Sequence, residues 1–464
     1  MSKENIRPFG LRDKLGYLLG DFGNDFTFIL STMVLMKFYT DVVGVSASAV
    51  GTIMMLARFV DAFTDVTMGR ICDRSRVRPS GKFRPWLLRM CVPVALASFL
   101  MYQSGVASWP YAAKVGYLLV TYILWGSVFY TAVNIPYGSM ASAITADPLE
   151  RQSLSTYRSM GAALAGTFIG VLLPALAYEK IDGVETLIGW RVTLAAGVFS
   201  LLAVIAYLLC YALTRERVLT DEAHASRPHR PVRETIRQTL SNRALISIIA
   251  ASVVMLLAQL TMQNMGGYIY PDYYNNAGAQ SVSTILMMVS MLLSAALVRP
   301  LAARFGKAEV AAVSNLFAGL VCAATYLLRP ASVWVFVALQ TLGWLGLGLF
   351  TMVSWALITD VIDECEIRSG VREDGSIYAV YSFARKMGQA VAAGVSGWLL
   401  TVIGYVPGAA GGQTQEVLHG IFAIATLVPA LGFVLLSAVL WLWYPLHKRR
   451  VEENTAQLKL RRKG

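Results

Sequence analysis

Charge is scarce in this chain. Asp, Glu, Lys and Arg supply 15% of its 464 residues, against about 25% in an ordinary soluble domain. Apolar residues supply 56% and the mean hydropathy is +0.55, which leaves too little polar surface to cover a soluble particle. A soluble protein is excluded and a polytopic membrane protein is implied. Cysteine and histidine are sparse too. Cys72, Cys91, Cys210, Cys322 and Cys365 are scattered without paired or metal-ligand spacing, so neither a disulfide framework nor a zinc site is expected. No Walker A, HExxH or GxSxG sequence occurs, which speaks against an ATP-driven pump and against an enzyme. The opening MSKENIRPFGLRDK has no apolar core of a leader peptide, so none is expected.

What the chain has in quantity is long apolar runs. A helix needs roughly 20 apolar residues to cross a bilayer. Such runs fall at 15–40, 46–69, 85–104, 112–141, 158–179 and 189–213, then at 243–271, 281–303, 308–328, 331–358, 376–404 and 417–445. The fold class expected is an all-α membrane protein of twelve transmembrane helices in two six-helix bundles, 1–213 and 243–447. Between them, 214–242 is the longest polar stretch and reads as a cytoplasmic linker; 448–464 reads as a basic cytoplasmic tail. The net charge of +12 is explained by topology rather than by nucleic acid, which is not expected as a partner. With the N-terminus inside, 31 Lys and Arg fall on the inner side and 5 on the outer, so both termini are expected in the cytoplasm of a cell-membrane protein.

Ionisable residues inside such spans are costly and mark function by default. Span 1 carries Asp21 and Asp25 four residues apart. On span 2, Arg58, Asp61 and Asp65 fall at i, i+3 and i+7 and share one helix face. Two carboxylates beside an arginine form a candidate site for a coupling cation, H⁺ or Na⁺, or an ion-pair cluster that fixes packing. Span 4 offers Tyr130 and Asn134, with Pro136 weakening the helix. Arg158 stands at the start of span 5, either as a topology charge or as a fork for hydroxyls or carboxylate. Asp360, Asp363, Glu364 and Glu366 precede Arg368 and Arg372 in a loop before span 11, and Arg385 and Lys386 lie inside that span. Lys386 needs a partner, for which the span 2 aspartates are candidates, whereas Arg385 can snorkel. Trp125, Tyr130, Trp355 and Tyr381 are conceivable faces for a sugar ring. Polar amides at Gln259, Gln263 and Asn264 are as well explained by helix–helix glue.

Gly69, Asp73 and Arg74 at the turn after span 2 form a Gly-x-x-x-Asp-Arg pattern that resembles the loop signature of the major facilitator superfamily. Glycine there would permit close helix approach, and Arg58, Asp73, Arg74 and Arg372 are expected as gating or structural charges. The segments YTDVVGVSASAVGTIMMLARFVDAFTDVTMGRICDRSR, GKFRPW, VNIPYGS and DVIDECEIRSGVREDGSIY together resemble the glycoside–pentoside–hexuronide:cation symporters, a family that includes the melibiose carrier and the bacterial glucuronide carrier. The resemblance runs across essentially the whole chain. It implies a facilitator fold that carries a sugar or glycoside with H⁺, Na⁺ or Li⁺, without a cofactor and without an obligate protein partner, in contact with membrane lipid. It implies cation coupling at Asp61, Asp65 and Asn134, the last where the melibiose carrier has a third aspartate, so H⁺ is favoured. It implies sugar contacts from Asp25, Tyr130, Asn134, Arg158 and Lys386. Gly138 replaces a stacking tryptophan, so galactoside specificity does not carry over. The motifs are closer to those of the glucuronide carrier, and Arg158 with Arg385–Lys386 would suit a carboxylate-bearing sugar. Rival expectations are a carrier of the same fold for a lysolipid, and a membrane sensor that does not transport.

Overall fold

The computed structural model describes residues 7–75, 77–218, 242–369, 374–409 and 412–461. It is built of long helices in two units, Met1–Arg227 with Leu400–Gln413, and Pro228–Leu399 with Thr414–Gly464. The first unit contains α1 (Leu11–Lys37), α2 (Ala47–Arg74), α3 (Arg84–Leu100), α4 (Tyr111–Ile144), α5 (Pro148–Ala177) and α6 (Gly189–Leu213). The second contains α7 (Arg243–Tyr268), α8 (Gly278–Phe305), α9 (Lys307–Leu328), α10 (Val333–Ser369), most of α11 (Asp374–Val402) and α12 (Gln415–Ala438), followed by the tail helix α13 (Lys448–Arg461). Eleven of the described helices are long and apolar enough to cross a membrane. α11 has the length, at 29 residues, but carries Asp374, Arg385, Lys386 and Gln389. Prolines 93, 136, 174, 300 and 429 lie within helices, which neighbouring helices tolerate in a membrane.

Three helices overrun the expected spans by five residues or more. α2 runs to Arg74 rather than 69, so Gly69, Asp73 and Arg74 lie in its last turns and not in the turn that follows it. α5 starts at Pro148 rather than near 158, because Asp147 caps it by accepting from the Leu149 and Glu150 amides and proline fits the first helical position. Arg158 is therefore well inside α5 rather than at its start. α10 runs to Ser369 rather than 358, so Asp360, Asp363, Glu364 and Glu366 are helical, not in a loop. The polar edge of the apolar layer marks where a helix leaves lipid, not where it ends. Glu364 is buried against Arg368, Arg450 and Asn454, and Asp360 pairs with Lys307 at 2.5 Å. The basic tail is thus a helix tied to α10.

The connection between α5 and α6 is a β-hairpin, β1 (Tyr178–Ile181) paired antiparallel with β2 (Val184–Leu187). Asp182 and Gly183 both take positive φ, 51° and 83°, the backbone that a two-residue hairpin turn requires and that Asp-Gly supplies. The start of the polar linker is not free either. The Glu216 carboxylate is buried and accepts from the backbone amides of Lys82, Phe83 and Arg84 at 2.7, 2.9 and 2.7 Å. The Arg217 guanidinium donates to Asp13 at 2.9 Å, and the Arg217 and Val218 amides donate to the Ala143 carbonyl. Residues 214–218 strap the ends of α1, α3, α4 and α6 together; positions 219–241 of the linker lie outside the described residues. At the other end of α1, Tyr405 donates to Asp41 at 2.7 Å and accepts from Lys37 at 3.1 Å, and the Gly408 amide donates to Thr40.

Candidate functional site

The first unit gathers its intramembrane charges into two groups. In one, Arg58 donates to Asp61 at 3.3 Å, as their i, i+3 spacing on α2 permits. Ser127 donates to the other Asp61 oxygen at 2.5 Å, and Thr131 donates to Asp65 at 3.0 Å. Both hydroxyls come from α4, where Leu124–Tyr130 is wound as a π-helix. A π segment offsets the residues after it relative to an α-helix, and such segments recur at functional sites. Pro136 lies within the α-helical part of α4 that follows. Ser127 and Thr131 were not singled out from the sequence, although they are four apart like Asp61 and Asp65 and so could face them as matched rungs.

The second group joins α1 and α5. Arg158 Nε donates to Asp21 at 3.0 Å, and its guanidinium lies 5.3 Å from the Tyr137 ring, which stacks on Tyr17 at 4.6 Å. The reach depends on Gly161, where a methyl group would overlap the backbone carbonyl of Leu18 on α1. Arg158 therefore pairs with Asp21, not with Asp25, the aspartate expected to bind cargo. Asp25 is half-buried and within electrostatic range of Asp21 and Arg158, and no hydrogen bond or ion pair to it is found among the described residues. Asn24 beside it accepts from Tyr207 at 2.7 Å.

Phe28 links Arg58 to Tyr130, which is itself within electrostatic range of Asp25 and Asp21. The Arg58 guanidinium lies 4.8 Å from its ring, and Tyr130 stacks on the ring at 5.7 Å. Tyr130 and Asn134 are half-buried on α4. Gly138 leaves open space next to Arg158, since a methyl there would make only an ordinary 3.7 Å contact with Nη1. Trp125 is fully buried against Tyr122 and Tyr130, so it is a packing residue and not an open stacking face. Phe28 escaped the sequence reading because an aromatic in an apolar helix carries no distinguishing signal.

In the second unit Lys386 is half-buried on α11. Its neighbour Arg385 lies 5.7 and 5.8 Å from the rings of Trp355 and Tyr381. Tyr381 is fully buried with its hydroxyl 2.7 Å from that of Ser252, and Asn264 donates to Ser396, in line with the helix-glue reading. Of the expected gating or structural charges, Arg58 is ion-paired with Asp61. Arg74 is exposed, the Asp73 side chain and Arg372 lie outside the described residues, and among the described residues nothing approaches Gly69 within 4 Å.

Comparison with known proteins bears on the whole of this arrangement. Residues 16–448 match the family described as MFS/sugar transport protein. The chain is 32% identical to the glucuronide carrier protein homolog of Escherichia coli (strain K12), with 97% of this chain and 96% of that one covered. It is 31% identical to the isoprimeverose transporter of Lactiplantibacillus pentosus, with 96% and 90% covered. Among solved structures it is similar to the nucleoside transporter NupG, at a TM-score of 0.66 and 14% identity over 94% of this chain and 99% of that one; that likeness concerns the fold.

Proposed function

Since the chain belongs to the family of MFS/sugar transport proteins, we propose that it is a sugar:cation symporter, H⁺-coupled, working by alternating access in the cell membrane with both termini cytoplasmic. The observation that carries the reading is the pair of polar groups inside one helical bundle, Arg58–Asp61–Ser127 with Asp65–Thr131, and Asp21–Arg158 beside Asp25, bridged by Phe28 and Tyr130. Asp61 and Asp65 take the cation. Proton uptake there needs only one carboxylate oxygen, whereas a hard metal cation needs several oxygen ligands. Both oxygens of Asp61 are already engaged and Asn134 adds no charge, which favours H⁺ over Na⁺.

Cargo binds at Asp25, Tyr130, Asn134, Arg158 and Lys386. A guanidinium fork next to the open space at Gly138 favours a sugar acid or its glycoside, since arginine recognises carboxylates in bidentate fashion. The relatives named for glucuronide and isoprimeverose support a sugar cargo. Cation occupancy neutralises the α2 carboxylates and favours sugar binding, and reciprocity requires sugar to raise cation affinity by the same factor. The halves then exchange access to the two sides of the membrane around a midplane site.

The test is uptake by reconstituted proteoliposomes under an imposed pH or Na⁺ gradient, with a phenyl glucuronide, a xyloside and a galactoside. Accumulation of the glucuronide above the bath concentration under the pH gradient is expected. Asp65→Cys is expected to abolish accumulation, and concentrative uptake by that variant overturns the coupling assignment. Silence with every sugar and both gradients, from folded protein, favours the lysolipid-carrier or sensor readings.

A further inference from the structure

The loop between α2 and α3 holds a second polar feature that the transport reading does not use. Ser75, Arg78, Lys82, Pro85, Trp86 and Arg89 line a recess of about 180 Å³, roughly the liquid volume of six waters. Three of the six carry positive charge, and Arg78 and Arg89 are exposed. The positive charge belongs to the side chains, because the first amides of α3 are already taken by Glu216. A methyl at Gly81 would run into that carboxylate, and Gly81 adopts φ 109°, so the turn that presents Lys82 and Arg78 is held in one shape.

Pro85 and Arg89, which line the recess on α3, adjoin an apolar track on the same helix. Leu88, Val92, Leu96 and Leu100 on α3 are all exposed, and their i, i+4 spacing makes one continuous stripe. Arg89 is three residues from Val92 and seven from Leu96, so it adjoins that stripe, about 7 Å along the helix from Arg84. Trp86, in the first turn of α3, is half-buried against Met68, Cys72 and Ala132 and forms one wall of the recess. A free anion would use the basic recess alone. A lipid would use both parts, its phosphate among Arg78, Lys82 and Arg89 and its acyl chains along the stripe.

We propose that this recess is a specific binding site for an anionic phospholipid, in the leaflet on the side of the central linker. Basic pockets at the membrane edge select anionic headgroups, with about a fivefold gain in affinity for each Lys or Arg near the surface. Removing two of the three cations is therefore expected to weaken binding roughly 30-fold.

The experiment is native mass spectrometry of the purified, delipidated full-length protein titrated with phosphatidylglycerol or phosphatidylcholine. The expected result is at least tenfold tighter retention of phosphatidylglycerol. Arg78→Gln with Arg89→Gln should lose that preference, and Arg78→Lys with Arg89→Lys should keep it. A control that removes two exposed charges elsewhere, Arg12→Gln with Arg449→Gln, should also keep it. Equal retention of the two lipids, or an equal loss in the control, overturns the proposal in favour of diffuse surface attraction. Full displacement of phosphatidylglycerol by millimolar inorganic phosphate overturns it in favour of a free anion.

Discussion

Arg158 and Asp21 show how much of a site rests on one pair. The arginine is read from the sequence as a candidate for cargo, yet in the structure it is held by a buried carboxylate from α1. Removing the arginine leaves the buried Asp21 carboxylate uncompensated, which destabilises the fold, though by less than for a fully buried pair because 38% of the arginine side chain is exposed. Arg158→Gln is expected to lower the thermal midpoint and abolish sugar uptake. Arg158→Gln with Asp21→Asn should restore the midpoint but not uptake, because the fork for the acidic sugar is still gone. Recovery of uptake in the double variant, measured in proteoliposomes, would reduce Arg158 to a packing role. Asp61, Asp65 and Arg58 were legible as a set because charges at i, i+3 and i+7 in an apolar run share one helix face and are costly in lipid. Ser127 and Thr131 were not, since hydroxyls in membrane helices commonly return a bond to their own backbone.

At the scale of elements, the strap at 214–218 turns a linker into a structural part. Three backbone amides at the N-terminus of α3 donate to one buried carboxylate, which satisfies donors that the helix leaves open and complements its dipole. Glu216→Ala is expected to cost at least about 2 kcal/mol, the order of one or two bonds to a charged acceptor. The check is limited proteolysis, with cleavage near 214–218 appearing in the variant well before it appears in the parent protein. Eleven of the described long helices are readable from hydropathy alone, with α6 placed at 189–213 in both the sequence and the structure. The overrun of α5 and α10 was not, because their polar turns are stabilised by the Asp147 cap and by partners such as Lys307 that are remote in sequence.

For the whole molecule, orientation is the property that composition addresses most directly. Lys and Arg crowd one set of connections, and the cost of moving them across a bilayer sets the topology during insertion. The α5–α6 hairpin is therefore expected outside and the tail helix inside. Glu185→Cys should react in intact cells with a membrane-impermeant maleimide, whereas Arg449→Cys should react only after permeabilisation. Four of the five native cysteines are buried, so background labelling is low. The reverse pattern would invert the topology and, with it, the leaflet assigned to the basic recess.

The sequence by itself determined that the protein is a helical membrane carrier, where its spans lie and which of them bear charge, because apolar length and misplaced charge are local properties of the chain. It also carried the hairpin turn in Asp182-Gly183, a signal easily passed over beside such long apolar runs. Only the tertiary structure decided who pairs with whom: Arg158 with Asp21, Ser127 with Asp61, Glu216 with the start of α3, Tyr405 with Asp41. Those contacts join residues 66 to 364 positions apart. They depend on close backbone approaches and on a π turn in α4, and helical periodicity within a single element encodes neither.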